Sequence, residues 1–584
     1  MSRPLTLLAV LLLALPGQAQ DAASAPASLP TVAAGQALLS KGDYAAAEEV
    51  FRARTESQPG EAVSWYFLGF ALHAQGDLGQ AIPVHEKAAS FTATAPAASY
   101  NAACAHAKLG HIDQAFQWLT RATQTGFGDR KLLATDDDLE PLRSDPRFDL
   151  ILPPLLEGSE LFVEQPRVLH TMVGEARDDE FGWVARVVGD LDADGVADFA
   201  ATAPGHAGTG RQAGRVSVYS SRSGERLFVF DGAAGWRLGN SVAGRVDVDA
   251  DGMPDVIVGA PGTSALPGRA FVYSGADGSQ LHMWSPGEAG DQFGLKVCGL
   301  EDLDGDGHAE VAVTASKADT VAGSSPGTGS GTAKGGGTDA GRVTVFSGAS
   351  GDELFRIEGD ATGAQFGSAV DGTRAGGHHL LAVGAMRGGP RATGQALVYR
   401  CTADGAELAF TIDSDAKGAN LGQYFVTFLG DVDGDEVPDV YASDWNHGVK
   451  GPATGQVYVH SGASGERLLT IDGHVQGEGF GTSAADCGDV NGDGHADLVV
   501  GAWQNSEGAP SAGKCYLHSG ADGSLLATWT SKQGGDTLGF DAVGIGDVDG
   551  DGHHDFLLTS AWSTVDARKQ GRVFIVAGPD LGGS

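Results

Sequence analysis

The sequence predicts a multidomain chain of unlike parts. A short α-helical repeat stack comes first, and an all-β seven-bladed propeller follows it. Three observations predict this. Nine-residue acidic segments recur at near-constant spacing along the C-terminal part of the chain. Each is followed, in the same order, by short alternating strands bounded by glycine. Ahead of them a different period, 34 residues, carries a helical pattern.

The acidic segment "DLDADGVAD" is the first to appear. Asp190, Asp192 and Asp194 occupy positions one, three and five, Gly195 position six, Val196 position seven and Asp198 position nine. Like charges this close raise one another's pKa unless something neutralises them. Hard oxygens at alternating positions suit Ca²⁺, which accepts six to eight of them, with position seven giving its backbone carbonyl. An EF-hand would carry a glutamate at position twelve, but Ala201 stands there and the flank reads as a strand.

The same loop recurs five times. Asp247, Asp249, Asp251, Met253 and Asp255 form the second. Asp302, Asp304, Asp306, His308 and Glu310 form the third. The next is Asp431, Asp433, Asp435, Val437 and Asp439. Asp489, Asn491, Asp493, His495 and Asp497 follow, then Asp547, Asp549, Asp551, His553 and Asp555. The spacings are 57, 55, 129, 58 and 58 residues. The long gap holds a degenerate unit, recognisable at Phe366-Gly367 but without the acids, where His378-His379 is expected to make the turn. Six Ca²⁺ ions, structural rather than catalytic, would offset part of the formal net charge of −37. Glu436 stands where glycine is expected at position six, which predicts strain in that turn. His308, His495 and His553 fall at position seven, so their imidazoles are expected to face solvent rather than bind zinc.

Each unit opens on a Phe-Gly or Leu-Gly pair, such as Phe181-Gly182 or Leu538-Gly539. An apolar stretch, the acidic loop, a strand ending like Gly259-Ala260-Pro261 and two alternating strands complete it. Four strands per unit, repeated seven times, are the blades of a propeller. The last unit lacks a fourth strand, and an orphan strand at 167–175 matches that slot. The segment 161–175 is therefore expected to close a ring spanning 161–578 and to hide its edges.

Over roughly residues 160–578 these motifs resemble the FG-GAP repeats of integrin alpha propellers. The resemblance implies Ca²⁺ between the first and second strands of a blade, and ligand-binding loops on the opposite face. Acidic loops in six of seven units, and no membrane span, depart from the integrin pattern, so integrin-like partners do not follow.

Residues 1–19 resemble a secretory signal: Arg3, an apolar run from Leu5 to Leu15, then a cut after Ala19. This implies export to the periplasm, cell surface or medium. An Ala/Ser/Pro lead spans 20–32. Over 33–152, Gly42, Gly76 and Gly110 are in step, with Ala47, Ala81 and Ala115 following, and Trp65, Leu68, Gly69 and Leu72 between. This resembles tetratricopeptide repeats, whose groove would admit a peptide partner. "LEPLRSDPRFDLIL" is expected to add one capping helix, and 153–160 a linker.

The chain's acidity argues against nucleic acid. No serine is set on a strand-to-helix nucleophile elbow, and no zinc-protease helix occurs, so the chain reads as no enzyme. Trp445, Trp503 and Trp562 recur beside the "GAP" position and form a possible ligand face. The expected function is non-catalytic recognition of a protein or glycan. The alternatives are a propeller lectin and a calcium-dependent polysaccharide-active enzyme, the latter needing a base that cannot be placed. Cys487 and Cys515 share one unit and would bridge if their strands brought them together.

Overall fold

The computed structural model describes residues 29–127, 130–151, 156–320, 337–414 and 420–581. The secretory signal, most of the Ala/Ser/Pro lead, the linker prolines and the Gly-rich insertion at 321–336 lie outside them. The chain divides into two compact units, Met1–Leu155 and Leu156–Ser584.

In the first unit, helices Val32–Ser40 and Tyr44–Ser57, Ala62–Ala74 and Leu78–Ala88, and Ala95–Lys108 and Ile112–Gln124 form successive antiparallel neighbours. The 34-residue period is a hinge chemistry. Gly42, Gly76 and Gly110 take φ of 78°, 84° and 76°, the left-handed conformation that ends a helix most cheaply with glycine. Asp43 and Asp77 then cap the next helix by accepting the N–H of Ala46 and Gln80. Small residues permit close approach. A Cβ on Gly69 would lie 2.5 Å from Nδ1 of His85.

The expected capping helix is not one helix. A 3₁₀ turn, Asp137–Leu142, is followed by a separate helix, Arg147–Ile151. Pro141 sits inside the turn, and Pro146 bars Asp145 from helical backbone.

The second unit holds seven four-stranded antiparallel sheets. Blade 1 comprises Ala185–Gly189, Asp198–Ala203, Arg215–Tyr219 and Arg226–Asp231. The first strands of blades 2 to 6 begin at Ser241, Phe293, Phe366, Val426 and Phe480. Blade 7 comprises Ala542–Gly546, Asp555–Ser560, Arg572–Val576 and, outermost, Val168–Val173 from the start of the unit. The chain ahead of that strand also borders blade 6, where Glu164 accepts from Thr530 N–H and from the hydroxyls of Thr528 and Thr530. The closing segment thus ties two blades.

The second strand of each acid-looped blade is buried along its length, whereas the fourth is half exposed. Inner strands are covered on both sides by neighbouring blades, so they read as continuous apolar runs. Seven apolar clusters, each shared by two adjacent blades, run round the ring. In the degenerate blade 4, Phe366–Ala375 and His378–Ala385 pair to their last residues, Ala375 with His378. Gly376 and Gly377, with φ of 55° and 82°, make the two-residue turn. His378-His379 is therefore strand and not the turn expected of it.

All five cysteines are free and buried. Cys515 pairs with Gly501 at one end of blade 6, while Cys487 follows the Asp486–Leu498 pair at the other. The two strands separate the thiols rather than bring them together.

His85 is fully buried, and neither ring nitrogen finds a hydrogen-bond partner. Burial, with His73 beside it, holds its pKa well below the ordinary 6.5. The unfolded chain therefore takes up a proton that the folded one refuses. This stability is complete above about pH 6.5 and falls below it by up to roughly 1.4 kcal/mol per pH unit. Thermal melts of the full chain followed at 222 nm should show the helical transition dropping between about pH 7 and 5, and His85→Leu should flatten that dependence.

Candidate metal centres

The six acidic loops fold alike, and the side chains themselves build the fold. At position one, Asp190 accepts the N–H of Asp194 and Gly195. At position three, Asp192 accepts Asp194 N–H; at position five, Asp194 accepts Val196 N–H. The position-one and position-five rungs recur from Asp247, Asp302, Asp431, Asp489 and Asp547, and the position-three rung in all of these but the Asp431 loop. Positions four and six are both left-handed in every loop. Position four is Ala193 and Ala250 (φ 59° and 60°) in the first two, and glycine in the other four. Glu436 adopts φ 67° at position six and still donates to Asp431. Its departure from glycine costs backbone strain of about 1 kcal/mol but does not open the loop.

Position nine has a second duty that the sequence did not disclose. Asp198, Asp255, Asp439, Asp497 and Asp555 are fully buried. One oxygen of each accepts the N–H of position two: Leu191, Val248, Val432, Val490 or Val548. The other accepts a backbone N–H just beyond the third strand: Ser221, Gly275, Gly462, Gly520 or Gly578. Burial, opposed by these bonds and abetted by the neighbouring carboxylates, pushes the first four up to about 6 and Asp555 upward as well. Glu310 makes only the bond from Leu303; its Oε1 is buried without a partner, and its pKa is pushed up to about 8.

Carboxylate oxygens converge in these loops. Those of Asp190, Asp192 and Asp194 lie within 4.8 Å of one another, as do those of the Asp247, Asp302 and Asp547 loops at the same three positions. In the Asp431 loop the converging set is Asp431, Asp433 and Asp439, which includes position nine. The Asp489 loop has Asn491 in place of the acid at position three, and its amide donates to Asp493. Guanidinium groups approach two loops: Arg167 pairs with Asp549 and, at 2.7 Å, with Asp551, and Arg222 lies 3.1 Å from Asp194. An all-oxygen donor set, a buried carboxylate oxygen without a partner and cations drawn to the loops all fit a hard divalent cation.

The loops also touch. His308 Nδ1 lies 2.8 Å from the carbonyl of Val248 in the preceding loop, and His495 Nδ1 2.7 Å from that of Val432. Both imidazoles are half-buried, so they do not face solvent as expected; they join neighbouring blades. His553 is likewise half-buried, and its neighbour His554 reaches Cys487 O at 2.9 Å.

The antiparallel pairing of first and second strands puts the loops at one end of each blade and the Phe-Gly and "GAP" positions at the other, as with Leu300↔Glu310 and Phe293↔Ala315. At that opposite face Trp503 and Trp562 meet at 4.9 Å, and Phe540 touches both, at 5.7 and 5.6 Å. Trp183 extends the group to Phe540 at 4.8 Å, and Lys569 lies 3.9 Å over Trp562. Trp445 is not part of it. It is 7 % exposed, bonds Gln423 and packs on Tyr424. Asp444 and Asn505, nearby in sequence, are buried structural groups.

A further recurrent acid stands two residues before the Phe/Leu-Gly pair in four blades: Asp179, Asp291, Glu478 and Asp536. Asp179 accepts the N–H of Glu175 and Ala176, Asp291 that of Glu288, and Glu478 those of His474 and Val475. Asp536 instead accepts the hydroxyl of Ser531 and pairs with Arg572. The constant offset was the available signal.

Seven four-stranded blades, six of them with an acidic hairpin loop, define a seven-bladed β-propeller. The FG-GAP repeat family matches residues 181–219 and the FG-GAP-like repeat family residues 489–558. Integrin alpha-5 of Xenopus laevis is 32% identical over 185 residues, 29% of this chain and 17% of the relative. Integrin alpha-4 of the same species is 31% identical over 171 residues (27% and 16%), and human integrin alpha-11 33% over 141 (22% and 12%). The chain spans less than a fifth of the length of these relatives. It is a seven-bladed β-propeller that contains FG-GAP repeats and is preceded by α-helices, with sequence similarity to integrin alpha subunits. Among the described residues no helix is long and apolar enough to cross a membrane.

Glu310 supplies a direct test of the position-nine role. Glu310→Asp should let the carboxylate accept from both partners as in the other loops, raising stability by about 1 kcal/mol in denaturant titration at fixed calcium. Asp439→Ala should instead lower it by about 2 kcal/mol or more, because buried N–H groups lose their acceptor.

Proposed function

We propose that this is an exported, non-catalytic recognition protein whose six acidic loops hold structural Ca²⁺ and whose opposite face binds a protein or glycan partner. The observation that carries the reading is the segregation of the two ends of the acid-looped blades. One end carries pre-shaped loops of oxygen donors; the other carries a half-buried aromatic group centred on Phe540, Trp503 and Trp562. Six ligand sets would be Asp190–Asp198, Asp247–Asp255, Asp302–Glu310, Asp431–Asp439, Asp489–Asp497 and Asp547–Asp555. Calcium would neutralise the converging carboxylates and lock the hairpins between which His308 and His495 already reach. Each site held at a hundredfold excess over Kd adds roughly 2.7 kcal/mol.

The aromatic group favours a lectin as the second reading, since Trp faces stack on sugar rings as readily as on side chains. Its polar rim includes Lys569 and Arg568, the latter paired with Asp178. The integrin relatives favour a protein partner. A peptide partner for the helical repeats is a separate possibility that this face does not address.

Two measurements test the reading. Metal analysis after dialysis against calcium should return close to six Ca²⁺ per chain, and chelator should lower the melting temperature of the propeller; a melting curve indifferent to chelator would sink the calcium assignment. Separately, the full chain should be screened in calcium against glycan and envelope-protein panels. Loss of a hit on Trp503→Ala in a still-folded protein places the partner on this face, and a hit that survives it removes that face from the proposal.

A further inference from the structure

The first strands of the blades enclose a cavity of about 440 Å³ on the ring axis. Its charged lining residues are Arg186, Arg245, Lys296, Glu301, Asp371 and Asp486. They are not spread evenly. Glu301 and Arg245 stand at the acidic-loop end, one residue before Asp302 and two before Asp247, and Glu301 faces Arg374 at 3.6 Å. Asp371 is satisfied in place: it accepts the Thr427 hydroxyl and the N–H groups of Phe428 and Gly372. Asp486 accepts Gly488 N–H.

At the opposite end two cations share one nearby carboxylate. Arg186 leads off the first strand of blade 1 and is tied to Asp541, which is fully buried behind it and outside the cavity lining. Lys296 occupies the corresponding level of blade 3, where its backbone N–H donates to Thr314 near the end of the second strand. Its ammonium makes no hydrogen bond or ion pair with any described residue, and lies 5.3 Å from the centroid of the Phe425 ring. Arg186 lies over the same ring at 5.7 Å. Two cations therefore converge on one aromatic floor near a single carboxylate, Asp541, which is in hydrogen-bond contact with Arg186 only.

We propose that this end of the central channel is a binding site for a small organic carboxylate, with the ammonium of Lys296 and the guanidinium of Arg186 as donors above Phe425. An ammonium has three N–H donors to fill, and a ring face satisfies none of them as an oxygen would. A carboxylate supplies those acceptors and relieves the repulsion between the two cations. Arg186, pinned by Asp541, offers a pre-oriented second donor. The cavity is the size of a small-molecule site, which commonly measures about 300–1,000 Å³, and its Val184, Val297 and Val426 walls suit a short carbon chain. Burial, with Arg186 close by and Asp541 opposing it, pushes Lys296 down to about 8. Its charge is present at neutral pH and is lost just above it.

The test is calorimetric titration of the full chain with succinate at fixed free calcium, with succinamide as the uncharged isostere. Succinate should bind saturably and succinamide should not. Lys296→Met should weaken succinate about tenfold or more, the loss expected of one charge-assisted bond, while Lys296→Arg retains most of it. Unchanged melting of both variants shows that the ring is intact. Affinity should fall as pH rises from about 7 to about 9 and Lys296 loses its proton, the other charged groups near it being Arg186 and Asp541. Absence of saturable binding, or equal affinity in Lys296→Met, overturns the proposal. So does a glutamate-rich peptide that binds through Lys296 when succinate does not, because the site would then read a partner's side chain.

Discussion

Each acid-looped blade is organised by one carboxylate taken out of water. At position nine it accepts from the second residue of its own loop and, in five loops, from the backbone beyond the third strand, so it joins the inner hairpin to the outer one. Without it the loop has no fixed relation to its blade, and the converging acids above have no reason to converge. That arrangement places a buried anion beside three more, which is costly unless a cation compensates. The strength of the joint and the loop's attraction for a cation thus have one origin. Glu310 illustrates it from the weak side: one methylene more, and an oxygen is left inside the protein without a partner.

Closure is the second constraint on the ring. Seven blades leave two free edges unless the first and last are joined, and exposed edges recruit other chains. Val168–Val173 completes blade 7, while Glu164 binds the outer strand of blade 6. Arg167, between them, pairs with the last acidic loop. One short stretch therefore serves strand pairing, blade-to-blade contact and charge compensation together. The inter-loop contacts of His308 and His495 add coupling on the loop side. Separate blades would gain little from binding a cation; joined blades share each gain round the ring.

Much of this architecture was legible in the sequence because its signals repeat. The acid ladder, the Phe-Gly frame, the orphan strand and the 34-residue glycine period each state a local backbone requirement several times over. What was illegible depends on neighbours far away in sequence. The left-handed backbone at position four was masked by Ala193 and Ala250. His308 was expected to face solvent because position seven is exposed within its own loop, but the preceding blade supplies Val248 O. The Gly376-Gly377 turn was overlooked beside the more conspicuous histidines. Cys487 and Cys515 share a unit and yet stand at opposite ends of it, a distinction that needs the strand register. The aromatic group is similar: Trp503 and Trp562 were found by their recurrence, whereas Phe540 and Trp183 follow the Phe/Leu-Gly pair and join them only across blade boundaries. Trp445 shares the pattern but turns inward to Gln423.

The first strand of each blade connects these features physically. It starts at the Phe/Leu-Gly pair on the aromatic side, lines the channel and, in six blades, ends in the acidic loop. Arg186 and Lys296 lie in its first half in blades 1 and 3, and Phe425 and Asp541 immediately precede it in blades 5 and 7. A shift of such a strand along its axis would move loop and channel together, since its register with the second strand is fixed by backbone pairing. Position nine opens that second strand and anchors it. A metal bound in the loops would therefore bear on how precisely the channel cations are held, through two paired strands and without any additional moving part. Blade 4 has no acidic loop, yet its Asp371 bonds Thr427 and Phe428 across the blade boundary. In that blade a hydrogen-bonded carboxylate inside the channel holds the neighbouring first strand, on the inner side of the ring rather than at its loop face.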